Sequence, residues 1–327
     1  MKTTLIDLLR CPLTGQPLEI TGGVYLDDEI ESGWLVSKDG SYRYPIRDFI
    51  PRFVPESNYA DNFGMQWNRF RMTQLDSYSG HPISADRFWK ESGWRPEDLA
   101  GKWVLDVGCG AGRFAEVALA AGANVIALDY SGSVDACFVN LRHHPNLHLA
   151  QGDIYALPFR KGTFSFVYAF GVLQFTPDVE RAFFSLPPML AKGGRICLDV
   201  YQKSWKSGLH PKYWLRPMTK HISIERLFSV VQMLVPKLLP LSVQIAKFPF
   251  FGNWLKRLVP VANYVGVLPL SEEQHLEWSI LDTFNWFSPK FDKPQTLQVV
   301  RRWMDEANLD GEVLNNGYLV VRAAMPQ

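Results

Sequence analysis

The sequence predicts an α/β domain built on a largely parallel sheet, with a small β-rich module ahead of it and a helical insertion late in the chain. Three observations carry this. The β-branched run Val104-Leu105-Asp106-Val107 breaks into the alternating glycines Gly108, Gly110 and Gly112 and resumes as an Ala-rich helix reaching Leu119. Strand-like and helix-like stretches then alternate through residues 101–201, as crossover-connected parallel strands require. Charge also segregates: the chain as a whole is +1, yet residues 203–270 hold ten Lys or Arg against one acid, Glu225, so this segment is +9 and the remainder −8 by difference.

With 327 residues, 47% of them hydrophobic, the chain can bury a large core, which excludes a disordered chain. Cys11, Cys109, Cys137 and Cys197 show no paired spacing. Reduced thiols and a cytoplasmic location are the expectation, with no disulfide framework. Asp7 and the lack of a long apolar run near the start give no support for an export signal.

Residues 1–55 contain Leu5-Ile6-Asp7-Leu8-Leu9-Arg10-Cys11-Pro12 and, later, Tyr42-Arg43-Tyr44-Pro45-Ile46-Arg47-Asp48-Phe49-Ile50-Pro51. Glycine turns and aromatic alternation predict a compact β module. It resembles the zinc-ribbon-like module that precedes some bacterial methyltransferases and activates certain RNA and protein methyltransferases. That module's metal site needs four ligands. Here Cys11 stands alone, Thr14 occupies the second position of a Cys-x-x-Cys pair, and the hairpin at Ser37 to Ser41 has no cysteine. The expectation is a degenerate, metal-free module held by apolar residues, with a structural or docking role.

Residues 56–100 read as helices rich in aromatics. Phe63, Trp67 and Phe70 fall on one helical face, which for Phe70 is most simply a core-packing stripe.

The glycine turn at 108–112 must bend sharply and leave helix-start N–H groups beside a ligand. Dinucleotide sites begin in a similar way. Their third glycine, however, would fall at Arg113, and Asp106 would set a carboxylate against a pyrophosphate. A cationic ligand suits the site better: Asp106 can balance the ammonium of S-adenosyl-L-methionine, while the glycine amides and helix start accept its carboxylate. On Asp106-x-Gly108-x-Gly110-x-Gly112 the chain resembles the class I S-adenosylmethionine-dependent methyltransferases. The resemblance implies a Rossmann-like seven-stranded sheet, with residues 101–201 as the cofactor-binding core. Asn124 to Asp129 reads as a buried strand whose final acid, 23 residues after Asp106, stands where such folds hold ribose hydroxyls, with Tyr130 beside it. The resemblance further implies that Asp153 meets the adenine amine and Ile154 the ring face. Ahead of the core, Phe63-Gly64-Met65-Gln66-Trp67 is similar to the cofactor lid of small-molecule methyltransferases from sugar and secondary-metabolite pathways. This implies cofactor contacts from Tyr59, Gln66 and Trp67, an aromatic face approaching the sulfonium and Gln66 bonding the carboxylate.

Phe164 to Ala169 reads as the fourth core strand, so Phe170 to Phe175 at its exit should border the transferring methyl, with Phe170 against the cofactor and Gln174 toward the acceptor. Many relatives carry a histidine at the Gln174 position. An amide cannot serve as a general base at neutral pH. The Pro-Pro-aromatic motif of nucleobase amine methyltransferases is absent. Leu190 to Gly194 then forms a glycine turn into a fifth strand, Arg195 to Tyr201.

Residues 202–270 change character. Leu227 to Val235, Leu238 to Ala246 and Leu258 to Leu270 are apolar clusters, broken by Pro236, Pro240 and Pro260 and by Lys237, Lys247, Lys256 and Arg257. No uncharged apolar run reaches the roughly 18 residues that span a bilayer. A helical lid over an apolar acceptor is the first reading; a lid that also makes peripheral contact with an anionic membrane is the second. Nucleic acid is the least supported partner, since few polar base readers accompany the charges.

Ser271-Glu272-Glu273-Gln274 is a capping box that opens a helix carrying His275, Trp278 and Asp282 on one face. The stretch Asp282 to Asp292, which includes Trp286, is similar to an acceptor-side segment of the same small-molecule methyltransferases. Trp278 and Trp286 are therefore candidates to line the acceptor, and His275 and Asp282, about 10 Å apart along the helix axis, to grip it and move its proton. Gln295 to Ala307 predicts an amphipathic helix, and 311–323 an antiparallel hairpin that completes the core, so 271–327 returns to the domain that 202–270 interrupts. The resemblance implies methyl transfer from S-adenosyl-L-methionine to an oxygen or nitrogen of a small-molecule acceptor, a sugar or lipid-linked metabolite, without a metal. The alternatives are an RNA or protein methyltransferase and a non-catalytic cofactor-binding subunit.

Overall fold

The structure is a computed structural model that describes residues 1–204 and 211–327. Strands β1 (Leu18–Leu26), β2 (Glu29–Ser37), β3 (Arg43–Arg47) and β4 (Ile50–Pro51) pair in that order as an antiparallel sheet. Strand alternation turns Leu18, Ile30, Leu35 and Ile46 inward, where each is at most 4% exposed. Their core is not private. With Leu5, Leu8 and Leu9 it runs on into Leu105, Val107 and Val167 of the second sheet. Four short helices follow: α1 (Asp61–Arg69), α2 (Asp76–Ser79), α3 (Ile83–Ser92) and α4 (Pro96–Leu99).

The second sheet is built from β5 (Trp103–Val107), α5 (Arg113–Ala120), β6 (Asn124–Asp129), α6 (Ser133–Leu141), β7 (Leu147–Gln151), β8 (Phe164–Ala169), α7 (Val179–Phe184) and β9 (Leu190–Val200). The insertion contributes α8 (Pro211–Thr219), α9 (Ile224–Ala246) and α10 (Gly252–Leu255). The chain then returns through α11 (Glu272–Phe287), α12 (Leu297–Glu306), β10 (Asp310–Asn315) and β11 (Leu319–Ala324). The order is β10-β11-β9-β8-β5-β6-β7, parallel from β9 to β7, with β11 antiparallel to both its neighbours. This is the Rossmann-like methyltransferase sheet that the motif implied. The two strands that close it arrive only after the insertion.

The first sheet meets the second at its β7 edge. Arg52 bridges Gln151 in parallel, Phe53 N donates to Gln151 O at 2.8 Å, and the Arg52 guanidinium reaches Gln151 Oε1 at 3.0 Å and Asp135 Oδ1 at 2.6 Å. A strand edge that would otherwise offer unpaired backbone groups is covered.

The sequence reading broke the insertion at its prolines, whereas α9 runs unbroken for 23 residues through Pro236 and Pro240. Both prolines lie on the exposed side, four residues apart, where water can satisfy the carbonyls they free. By length and composition alone α9 could cross a bilayer. Its inner face is committed elsewhere: Leu227, Phe228, Val231 and Val235 pack into a core with Phe70, Leu281, Phe284 and Phe287. Not all of the insertion's charge faces outward. Lys212 (3.1 Å) and Arg216 both pair with buried Asp292, so two of its ten cations point inward.

Candidate active site

Strand order reverses at β5, which has β6 on one side and β8 on the other, so the crossovers leave a crevice beyond its carboxyl end. The glycine loop fills this crevice. Gly108 N and Cys109 N donate to Leu128 O at 2.7 and 3.0 Å, and Gly110 N donates to Asp129 Oδ2 at 2.9 Å. The loop therefore hangs from the end of β6. Gly108 has a φ of 77°, and a Cβ there would lie 2.3 Å from Val172; at Gly112, with a φ of 94°, it would lie 2.6 Å from Leu141. Glycine is required at both by conformation and by space. The Trp67 ring covers Gly110 from α1, within 3.2 Å of where a Cβ would stand.

A cavity of about 730 Å³ runs from this loop to α11, within the range of small-molecule sites. On the loop side its wall takes Tyr59, Trp67, Gly108, Gly110, Asp129, Tyr130, Ile154 and Phe170. Tyr59 and Tyr130 stack with ring centroids 4.8 Å apart, and Asp129 Oδ1 is fixed by Ser131 N at 2.9 Å and Ser131 Oγ at 2.8 Å. On the far side the wall takes Trp278, Asp282 and Trp286.

Six expected residues stand outside this wall. Asp106 lies in β5 opposite Tyr168 and is 2% exposed, with Oδ2 unpartnered among the described residues. Strand alternation puts it on the face of Val104, away from Val107, which does line the cavity. Burial pushes its carboxyl up to about 8, with Tyr168 opposing and Asp129 adding. Gly112 packs under α6. Asp153 caps a short helical turn through Tyr155 N at 2.9 Å, and burial raises its pKa. Gln66 and Gln174 are fully buried, with neither amide atom partnered among the described residues. His275, in the first turn of α11, is 7% exposed with Nδ1 unpartnered, and burial lowers its pKa. The structure therefore brings Trp278 and Asp282 to the cavity without His275.

The wall also contains groups that periodicity did not single out. Tyr264 Oη donates to Asp282 Oδ2 at 2.5 Å, and Trp278 Nε1 donates to the same oxygen at 3.1 Å. Burial raises the Asp282 pKa against the Tyr264 bond and the nearby Arg113 charge. Arg87 donates to Asp199 Oδ2 at 2.5 Å and to Glu91 Oε1 at 2.7 Å, while Gly171 N donates to Asp199 Oδ1 at 2.5 Å. Burial pushes Asp199 up to about 6, with Arg87 opposing. Arg113 is held by neutral partners, Ser84 Oγ at 2.8 Å and Gln74 Oε1 at 3.0 Å. Burial lowers it to about 10, and Arg87 adds to that. A cation in the first turn after the glycine loop was the available signal for Arg113. Tyr264 lies in an irregular segment and offered none.

In the N-terminal module, Cys11 Sγ lies 3.3 Å from Tyr44 Oη. No three metal-ligating side chains converge there or elsewhere among the described residues.

Two families match the chain: a methyltransferase domain over residues 105–198 and a Trm112p-like protein over residues 2–48. The chain is 29% identical over 137 residues to a demethylmenaquinone methyltransferase of Lactococcus lactis, covering 40% of this chain and 53% of that protein. It is 35% identical over 104 residues to a malonyl-[acyl-carrier protein] O-methyltransferase of Erwinia billingiae, covering 31% and 39%. It is 29% identical over 142 residues to a tRNA U34 carboxymethyltransferase of Colwellia psychrerythraea, covering 40% and 44%. The chain thus spans about half or less of the length of these relatives. The matched stretches are those that build the glycine loop and the covered sheet edge. Residues 105–198 thus match a methyltransferase domain, and residues 2–48, ahead of it, match a Trm112p-like protein.

Proposed function

We propose that the protein transfers a methyl group from S-adenosyl-L-methionine to an oxygen or nitrogen of a small-molecule acceptor. The observation that carries this reading is the continuity of one cavity from the glycine loop to the Asp282, Tyr264 and Trp278 cluster. The loop end fits the cofactor: Asp129 presents a fixed carboxylate for the ribose hydroxyls, Ile154 an apolar face for the base, and Tyr59 and Trp67 aromatic faces for a cation. The cofactor supplies a methyl on a cationic sulfur, which leaves as a neutral thioether.

This chain's residues then have three tasks. Phe170, Phe175 and Trp67 wall the reacting region with apolar surface and exclude water. Trp278 and Trp286 hold the acceptor in line, which supplies much of the acceleration. Asp282, with Oδ2 engaged by two donors, keeps Oδ1 for the acceptor's proton, and its raised pKa makes it a stronger base than an exposed carboxylate.

An RNA or protein acceptor is the second reading, and the Trm112p-like match favours it. Against it, the buried apolar residues of the module and the edge at its β4 end are already spent on this chain's own sheet, although its β1 edge, with Val24, Tyr25 and Leu26 exposed, is not. The test is incubation with methyl-labelled cofactor and separate pools of small metabolites, RNA and protein. Label in the metabolite pool supports the proposal, and label in RNA or protein supports the second reading. No transfer to any pool, with intact cofactor binding, would mark a non-catalytic subunit.

A further inference from the structure

Most of the large exposed apolar side chains among the described residues lie on the insertion. Phe248, Phe250 and Phe251 are 64%, 98% and 68% exposed, and Trp254 is 55% exposed. Phe250 holds a φ of 65°, a left-handed conformation that is costly for a bulky side chain, and it stands almost wholly in solvent. A second row lies along α9, where Val230, Met233, Leu234 and Leu241 recur at helical spacing opposite the face packed into the core. Patches this large on a soluble protein mark contact sites.

Charge identifies the occupant. Lys247 ends α9 immediately before the phenylalanines, Lys256 and Arg257 follow Trp254, and Lys237 lies within the α9 row. None of these four forms an ion pair with a described residue. Exposed aromatic side chains flanked along the chain by cations without ion pairs to described residues match the headgroup zone of an anionic bilayer, which takes rings into its apolar boundary and cations onto its phosphates. The patch also adjoins the cavity. After exposed Leu258 the chain dips to buried Val261 and Ala262, delivers Tyr264 to Asp282, and re-emerges at Val267, which is 67% exposed and part of the cavity wall.

We propose that this face docks on an anionic lipid bilayer. Phe248, Phe250, Phe251 and Trp254 enter the headgroup boundary, α9 lies along the surface, and the Val267 rim of the cavity opens toward the lipid. The acceptor is then an amphiphile drawn from the bilayer, a consequence that rests on the methyl-transfer reading, whereas the docking does not.

The test is sedimentation of the full chain with phosphatidylcholine vesicles, with and without phosphatidylglycerol, together with calorimetry of S-adenosylhomocysteine binding. Binding should favour the anionic vesicles and weaken steeply with salt. Lys256→Gln with Arg257→Gln should weaken it about 30-fold, roughly fivefold per charge, and Phe250→Ser with Trp254→Ser should abolish most of it. Both variants should keep wild-type S-adenosylhomocysteine affinity, which shows that they fold. No binding to anionic vesicles, or equal binding to both kinds in wild type and variants, overturns the proposal. So does a dimer in sedimentation velocity that the aromatic variant dissociates, because a second copy would then cover the face. Vesicle binding by a chain that fails to bind S-adenosylhomocysteine upholds the docking and defeats the methyl-transfer reading instead.

Discussion

Tyr264 donates its hydroxyl to Asp282 Oδ2 at 2.5 Å, joining the insertion to the first helix after it across the acceptor end of the cavity. The bond fixes the carboxylate's orientation while burial raises its pKa. Asp282→Asn should lower turnover by about 10²-fold or more, leave S-adenosylhomocysteine affinity within about twofold, and remove the acid-side limb of the rate profile. Tyr264→Phe should keep that limb and move it. Unchanged turnover and pH profile in Asp282→Asn would return the residue to the scaffold.

Asp129 joins Gly110 N, Ser131 N and Ser131 Oγ, so it holds the loop as well as facing the cavity. Asp129→Ala should weaken S-adenosylhomocysteine by about tenfold or more, since a charge-assisted hydrogen bond from Oδ2 to ribose and the bond that holds Gly110 N are lost together. Gly110→Val should abolish binding, because a side chain at a φ of 54° would press on Trp67. NAD should not bind; calorimetry that shows NAD binding and no homocysteine-adduct binding would overturn the cofactor assignment.

Asp106 is a buried carboxyl with a pKa near 8, well above its value in an unfolded chain. The sign follows from proton linkage: its stabilising contribution is complete below the ordinary carboxylate range and is lost as pH rises through about 8. Urea melts from about pH 5 to about pH 9 should therefore show the wild type losing a few kcal/mol relative to Asp106→Asn. Parallel curves would mean that the carboxyl is ionised and paired in the native state.

The N-terminal module should contain no stoichiometric zinc, and a chelator should leave its melting temperature unchanged, since Cys11 has Tyr44 as its neighbour and no second thiol. Metal analysis decides this directly. The module should also not melt alone. Leu35 belongs to the core that continues into the second sheet, so Leu35→Ala should cost about 2–5 kcal/mol and lower a single transition.

The sequence by itself determined whatever depends on local periodicity and local conformation. Three glycines at 108, 110 and 112 demand a turn that other residues cannot adopt, and strands alternating with helices demand crossovers. The parallel sheet, its glycine loop and the acid ending β6 were therefore legible in order. The same held for the capping box of α11 and for the β-rich opening. What only the tertiary structure decided depends on direction and distance. Strand alternation turned Asp106 into the sheet while Val107 reached the cavity, and distance along α11 left His275, on the same face as Asp282 but in the first turn, short of the wall that Trp278 and Asp282 line. Arg87, Asp199 and Tyr264 come from three separate segments, so no spacing rule could have grouped them. Charge counting likewise gave no direction to Lys212 and Arg216, which turn inward to Asp292, far along the chain. Conformational preference is a property of neighbours in sequence. A site is a property of neighbours in space, and the packing that closes the chain chooses them.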